Sequence, residues 1–400
     1  MAEATLCPAD LPIKDRLVSV FPGFSCPFEP FLDPLADFIA GEYARGISRI
    51  FLEKHRETII RSAPGLWETV APWLDGDEVK GVGWDLCFGD IYRAMHANVG
   101  DPWVLAASLA MHLGAEGVPG EWRVELGGPL RLRWGGLALP TATAVSVDTD
   151  GQRASITTRG AAGSAEMRLF RREDGDWRGD AERIPRVTRC GVRINVLNRS
   201  ALVLRDFDDL VSKALPVIDP RMVDVLDEAV QVIDTYTPMY VPWVRRTIHN
   251  IFILYPRRET IESGSVEHYL GLIHLSAHAV PLPIAELLVH EAAHQHMNLL
   301  TKLGPIDDGT DPHTYYSPPV DKYRKLSLIM AAYHAFANVL LFYRVCRRQG
   351  IAEQRECNRQ EAILLPWLEK LEEPLSGNPA LTDIGRALWL PLKSQVKETA

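Results

Sequence analysis

The stretch IAELLVHEAAHQHMNLL, residues 284–300, combines an amphipathic pattern with two histidines four positions apart. Its apolar residues recur at helical spacing, so the stretch predicts a helix. On a helix, side chains four positions apart lie one above the other on the same face. His290 and His294 can therefore direct two imidazoles at one metal ion. Glu291 is rotated by about 100° from His290 and reaches the open side of the metal instead of joining the ligands.

These five residues spell HExxH, the pattern with which zincin peptidases bind zinc and activate a water molecule. The helical context makes a chance match less frequent, so the sequence predicts a metal site. Just upstream, residues 271–280 (GLIHLSAHAV) read as a strand. A strand beside the metal helix is what a zincin-like cleft needs to hold an extended peptide.

Composition places the chain among ordinary soluble globular proteins, with 46% hydrophobic and 24% charged residues. A net charge of −9 gives no support to nucleic-acid binding. The six cysteines are scattered without a CxxC pair, and the first residues carry no basic-then-apolar signal pattern. These features predict a reducing, cytoplasmic location without a disulfide framework.

One apolar segment, residues 326–343, contains no charged residue and approaches the length of a membrane span. It also contains polar residues (Ser327, His334 and Asn338), and charged or polar residues bracket it closely. A helix buried in a large core or lining a site fits this pattern better. The sequence therefore predicts no membrane partner.

The pattern along the chain predicts an α+β fold in four parts. An irregular arm (1–28) precedes a helical region (29–116) and a β-rich segment (117–205), in which Asp150-Gly151 marks the clearest hairpin. A mostly helical, zincin-like metal-binding catalytic domain follows (206–400). In this last part, residues 250–256 predict a buried strand. Residues 321–349 predict one long helix that carries both Arg324 and His334.

Two imidazoles alone make a weak site, because zinc enzymes and non-haem iron enzymes usually use three protein ligands. No glutamate occurs between residues 301 and 346, which excludes the common glutamate ligand on a following helix. His334 is the strongest candidate, since an imidazole in an apolar helix needs a partner. A backbone carbonyl could equally be that partner. Weaker candidates are His274, His278 and His313.

The run AELLVHEAAHQHMNLL, then YYSPP, then Arg324 ahead of AAYHAFANVLLFYR resembles the HExxH-motif peptide-modification proteins of bacteria. The resemblance covers residues 265–344. Members accompany ribosomally made peptide natural products and act as 2-oxoglutarate-dependent peptide β-hydroxylases that bind iron through the HExxH helix. The resemblance therefore implies Fe(II), 2-oxoglutarate as co-substrate and a precursor peptide as substrate.

The resemblance also implies that His290, His294 and His334 bind Fe(II), and that Glu291 orients a ligand or the peptide. 2-Oxoglutarate needs a cation for its far carboxylate, and the forked guanidinium of Arg324 can bind one with two hydrogen bonds. Ser317 and Asn338 are the other predicted cofactor contacts.

Two other functions stay open at this point. A zinc metallopeptidase would use His290 and His294 as ligands and Glu291 as general base. A non-catalytic, metal-containing peptide-binding protein would need a closed site with four ligands. The substrate residue stays undetermined, and so does the oligomeric state, for which a homodimer is one option.

Overall fold

The computed structural model describes residues 21–31, 33–76, 82–97, 99–199, 212–256, 262–276 and 278–399. Helices lie at both ends of the chain and a β-rich segment lies between them, as the sequence predicts. The predicted arm lies outside these residues up to position 20. Its last part includes a 3-10 turn at Phe21–Phe24.

The helices of the described part run as follows. They are α1 (Asp33–Ser62), α2 (Leu66–Asp75), α3 (Leu86–Ala97), α4 (Pro102–Ala115), α5 (Pro220–Tyr236), α6 (Tyr240–Thr247), α7 (Pro281–Leu300), α8 (Leu326–Arg348), α9 (Gln354–Leu375) and α10 (Asp383–Glu398).

Four sheets are formed by the strands of the described residues, whose bounds follow. They are β1 (Gly120–Leu130), β2 (Arg133–Trp134), β3 (Leu137–Ala138), β4 (Ala142–Thr149), β5 (Arg153–Gly160), β6 (Gly163–Arg171), β7 (Trp177–Gly179), β8 (Glu182–Arg183), β9 (Arg186–Val187), β10 (Ile194–Leu197), β11 (Asn250–Leu254), β12 (Ser263–Ser265), β13 (Leu272–Ser276), β14 (Tyr315–Ser317) and β15 (Lys322–Arg324).

The first large sheet is antiparallel, in the order β1-β4-β5-β6-β7. Alternate residues of β1 and β4 are buried, so one face of the sheet is apolar. That face shares one hydrophobic core with α2, α3 and α4. The predicted Asp150-Gly151 turn joins β4 to β5, and Gly151 has a φ of 85°, a conformation that glycine adopts without steric cost.

The second large sheet is mixed, in the order β12-β13-β11-β10-β9. Strands β10, β11 and β13 are parallel, and all five residues of β11 are buried, as the sequence predicts for residues in this stretch. The antiparallel β12 is one of the two edge strands of this sheet in the described part. Sequence reasoning treated residues 257–271 as a turn-rich link and missed this strand.

Helix α7 lies in the centre of the C-terminal half, packed against α5, α6, α8 and β12. It begins at Pro281, where the missing N–H has no intrahelical partner to lose. The Gln295 amide fastens it to the sheet: its Nε2 donates to the Leu272 carbonyl (2.8 Å), and its Oε1 accepts from the Gly271 N–H (2.9 Å). On the next residue, His296 stacks on Trp243 with ring centroids 3.6 Å apart. These contacts fix the orientation of the HExxH residues.

The segment after the 3-10 turn is held by the C-terminal helices. The Ser25 hydroxyl donates to the Leu388 carbonyl on α10 (2.6 Å), and both Phe24 and Ser25 are fully buried. Carbonyl groups of this segment also accept hydrogen bonds from α8. The N-terminal end of the described chain therefore belongs to the core of the C-terminal half.

Helix α8 begins at Leu326, five residues later than the sequence predicts. Residues 322–324 form β15 instead, because they pair with β14 in an antiparallel hairpin. By length and composition α8 could cross a membrane, but 78% of its most apolar window is buried inside the fold. Such burial is typical of a core helix of a soluble protein.

Candidate metal centre

The HExxH pair has the geometry that the sequence predicts. The Nε2 atoms of His290 and His294 lie 3.1 Å apart, with ring centroids separated by 4.8 Å. Metal–nitrogen bonds are about 2.0–2.1 Å long, so one ion can contact both nitrogens at this separation. The residues present therefore fit the binding of a metal ion by these two imidazoles.

Both rings lie in surroundings that favour the neutral, metal-binding form of imidazole. Burial lowers the pKa of His290, and the neighbouring His294 and His334 lower it further. Burial also lowers the pKa of His294 to about 4, with a contribution from the positive charge of Arg324. The pair is thus uncharged at neutral pH.

The Glu291 carboxylate is turned towards the edge of the mixed sheet. One of its oxygens accepts a hydrogen bond from the Ser263 hydroxyl and the other from the Ser265 hydroxyl, each at 2.7 Å. The side chain is 1% exposed, and burial raises the pKa of its carboxyl group. We expected this carboxylate near the open side of the metal, but both of its oxygens are engaged with β12.

Sequence reasoning missed Ser263 and Ser265. Residues two apart on a strand share a face, so the Ser-Gly-Ser sequence places both hydroxyls towards Glu291. The available signal was the alternation of serine and glycine, but a pattern of three residues is too short to indicate a strand from sequence.

His334 is fully buried in α8, and its Nε2 lies 3.0 Å from the Phe24 carbonyl oxygen and 2.9 Å from that of Ser25. The ring therefore donates to the N-terminal segment through Nε2, so a backbone carbonyl is its partner. Its Nδ1 has no hydrogen-bond partner among the described residues. Burial, followed by the nearby His294, lowers the pKa of His334 to about 4. The structure brings His290 and His294 together but does not direct Nε2 of His334 at them.

Asn338, one turn further along α8, has no free group to offer a cofactor. Its Nδ2 donates to the carbonyls of Ser25 (3.0 Å) and His334 (2.9 Å), and its Oδ1 accepts from the Tyr240 hydroxyl (3.2 Å). The predicted cofactor role of Asn338 is unsupported by these contacts, which hold the N-terminal segment against α8.

The hairpin of β14 and β15 carries the other two predicted cofactor contacts. Arg324 is partly buried and acts on His294 electrostatically, and it forms no ion pair with any carboxylate in the described ranges. We predicted this arginine on the α8 helix, three turns from His334; instead it lies on the hairpin, close enough to His294 for its charge to lower the pKa of that imidazole. Ser317 is fully buried, and its hydroxyl has no partner among the residues described.

Aromatic side chains cover the pair on one side. The ring of Phe336 on α8 meets His290 edge-on, with centroids 4.9 Å apart, and Trp367 on α9 packs against Phe336 at 5.4 Å. Neither residue was singled out from the sequence, because aromatic residues in amphipathic helices are usually core residues. Their position next to His290 reduces the access of water to the site.

Two of the three weaker candidates for a third ligand are engaged elsewhere. The Nδ1 of His278 accepts from the Val280 backbone N–H, and His313 contacts the Asp311 carboxylate at 2.9 Å. The third, His274, lies on β13 within electrostatic reach of Glu291, and its Nδ1 has no hydrogen-bond partner among the described residues. Within the described ranges, no group of three or more histidine, cysteine, aspartate or glutamate side chains is placed to hold a metal. The assignment of His334 as third ligand stays a prediction, and would require binding through Nδ1.

No family model matches the chain, and no curated protein is found similar to it. The interpretation of the site therefore rests on the residues and their geometry.

Changing His334 to alanine separates its two roles. We expect the free energy of unfolding to fall by roughly 1–3 kcal/mol, because the buried Phe24 carbonyl loses its donor. We also expect the His290–His294 pair to retain metal. Urea denaturation and elemental analysis of the same preparation measure both quantities. Unchanged stability with complete loss of metal would instead establish His334 as a ligand.

Proposed function

We propose that this chain is a non-haem Fe(II)- and 2-oxoglutarate-dependent hydroxylase. Its substrate would be the β-carbon of a residue in a ribosomally made precursor peptide, modified in the cytoplasm. The observation that carries this proposal is Arg324, a partly buried guanidinium without a carboxylate partner in the described part, on a hairpin close enough to the metal-binding pair for its charge to act on His294. A cation held next to a metal-binding pair is suited to an anionic co-substrate.

In this function, His290 and His294 hold the iron and Arg324 binds the far carboxylate of 2-oxoglutarate with its two-pronged hydrogen-bond geometry. Ser317 on the same hairpin has a buried hydroxyl available to donate to that carboxylate. When bound, iron and 2-oxoglutarate would supply the oxidising chemistry: one oxygen atom of dioxygen would enter an unactivated C–H bond as hydroxyl, and the other would enter succinate as 2-oxoglutarate loses carbon dioxide.

The surrounding residues orient the substrate and exclude water. Phe336 and Trp367 form an apolar wall beside His290. Glu291 holds β12 in place through Ser263 and Ser265, and the outermost β12 offers an edge on which an extended peptide can pair. We infer from this edge strand and the neighbouring HExxH helix that the C-terminal domain is zincin-like.

The same edge strand also favours a second candidate, a zinc metallopeptidase with Glu291 as general base. A general base must reach the proton that it removes. Both oxygens of Glu291 already accept hydrogen bonds from serine hydroxyls, which favours an anchoring role for this carboxylate over that of a general base. We therefore propose the hydroxylase first and the peptidase second.

The proposal is tested at Arg324. In protein loaded anaerobically with Fe(II), Arg324→Gln should weaken 2-oxoglutarate binding by roughly 10- to 150-fold, since hydrogen bonds to charged groups contribute about 1.5–3 kcal/mol. Titration calorimetry gives the dissociation constant, and elemental analysis should show unchanged iron. The matched control is Arg355→Gln, an exposed arginine on α9. The proposal fails if wild-type protein neither binds 2-oxoglutarate nor converts it to succinate, or if the two variants bind it equally.

A further inference from the structure

The outer side of the β14–β15 hairpin exposes two aromatic rings. Tyr316 and Tyr323 are cross-strand partners, with 41% and 72% of their surface exposed and ring centroids 5.8 Å apart. Successive residues on a strand point to opposite faces, so these rings lie on the face opposite to Ser317, Lys322 and Arg324. The hairpin therefore has one face towards the metal-binding pair and one aromatic face towards solvent.

The same hairpin also exposes two lysines, one next to Tyr323 in the chain and one just after β15. Lys322 and Lys325 are exposed, and neither lies within ion-pair distance of a carboxylate in the described ranges. Five of the eight described lysines form ion pairs: Lys213, Lys302, Lys370, Lys393 and Lys397. The remaining one, Lys54, lies on α1. In a chain of net charge −9, the hairpin thus carries two of the three described lysines without an ion pair, together with two exposed aromatic rings. We call Tyr316, Lys322, Tyr323 and Lys325 the hairpin surface.

Hydrogen bonds keep this hairpin in one conformation. The Asp311 carboxylate accepts from the Tyr315 hydroxyl (2.7 Å) and from Nδ2 of Asn378, which follows α9 (2.9 Å). At the turn, the Asp321 carboxylate accepts from the Tyr316 hydroxyl (2.8 Å). A surface held in advance loses little conformational entropy on binding, and tyrosine rings have few rotatable bonds to fix.

We propose that the hairpin surface docks an acidic polypeptide segment that also carries apolar side chains. The lysines match its carboxylates, and the exposed rings match its apolar groups. The hairpin is continuous with the metal site through Arg324, so a segment docked here continues along the same chain towards His290 and His294. The inference rests on the proposed function in taking that chain to be the substrate. Docking itself requires neither metal nor 2-oxoglutarate.

The test uses the full-length protein without added metal. A fluorescein-labelled synthetic peptide of glutamate and leucine residues is titrated, and its anisotropy is measured at low and high salt. We expect saturable binding that weakens with salt, because exposed charges are screened. The double variant Lys322→Glu/Lys325→Glu should weaken it by at least about tenfold. The control Lys54→Glu/Lys370→Glu changes the net charge equally and should bind like wild type.

Two further measurements distinguish docking on the hairpin surface from general anion attraction. Tyr323→Ser should weaken binding at high salt, where the aromatic contact dominates, and a lysine–leucine peptide should not bind. Equal loss in both double variants, or equally tight binding of a single-stranded oligonucleotide, would overturn the proposal in favour of general anion attraction. Because no iron chemistry is measured, a failure here leaves the Arg324 result unaffected, and the reverse also holds.

Discussion

Alanine in place of His290 or His294 should abolish metal binding. Each replacement leaves one imidazole where two nitrogens 3.1 Å apart now face the same point. Loss of a hydrogen-bonding partner outside the ligand set already costs about 10–100-fold in metal affinity, and loss of a ligand should cost more. Protein loaded anaerobically with Fe(II), desalted and subjected to elemental analysis should therefore contain no iron in either variant.

His313→Ala provides the matched control for this experiment. His313 is an exposed imidazole whose contact is with Asp311, so its removal should leave the iron content unchanged. Thermal unfolding of the three metal-free variants checks that each still folds. Normal iron content in both His290→Ala and His294→Ala would show that the HExxH residues do not form the metal centre.

The second prediction concerns Glu291→Gln, a substitution that distinguishes a hydroxylase from a peptidase. In Glu291→Gln, the amide oxygen can still accept from one serine, and the amide nitrogen can donate to the other serine hydroxyl. The contacts to β12 are thereby retained, so we expect iron binding and measurable hydroxylation to persist. A peptidase would lose about 10²–10⁴-fold in rate with its general base. Mass spectrometry of the peptide and succinate quantification measure the outcome.

The hydroxylated peptide should gain one oxygen atom and stay intact, with succinate formed in equal amount. Ser263→Ala/Ser265→Ala is the companion variant: it removes both hydrogen bonds to the Glu291 carboxylate and should lower hydroxylation by displacing β12. Cleaved peptide without succinate, abolished by Glu291→Gln, would establish the metallopeptidase and refute the hydroxylase.

The sequence predicted the features that depend on local periodicity. The spacing of His290 and His294 on one helix face was sufficient to place their nitrogens together, and the strand in residues 250–256 followed from an unbroken apolar run. The Asp150-Gly151 hairpin followed from turn chemistry. Each of these needs only neighbours within a few positions along the chain.

Features that depend on distant partners could not be predicted. Nε2 of His334 contacts a carbonyl 309 positions away, and no pattern within α8 indicates that partner. Arg324 was assigned to a helix because its neighbours continue the helical pattern. In the structure, residues 322–324 instead pair with β14 as a short strand. Asp321 adopts the left-handed conformation at φ 50° in the turn, and the Asp311 carboxylate accepts a hydrogen bond from the Tyr315 hydroxyl.

The contacts of Ser25 have a consequence for the order in which the protein is completed during synthesis. Its backbone carbonyl accepts hydrogen bonds from α8, and its hydroxyl donates to Leu388, a residue synthesised 363 positions later. Until then, the apolar segment around Ser25 lacks its final neighbours and stays exposed to water. Since such long-range closure is slow and leaves apolar surface open to aggregation, the growing chain has an interval in which a chaperone could bind residues 21–31.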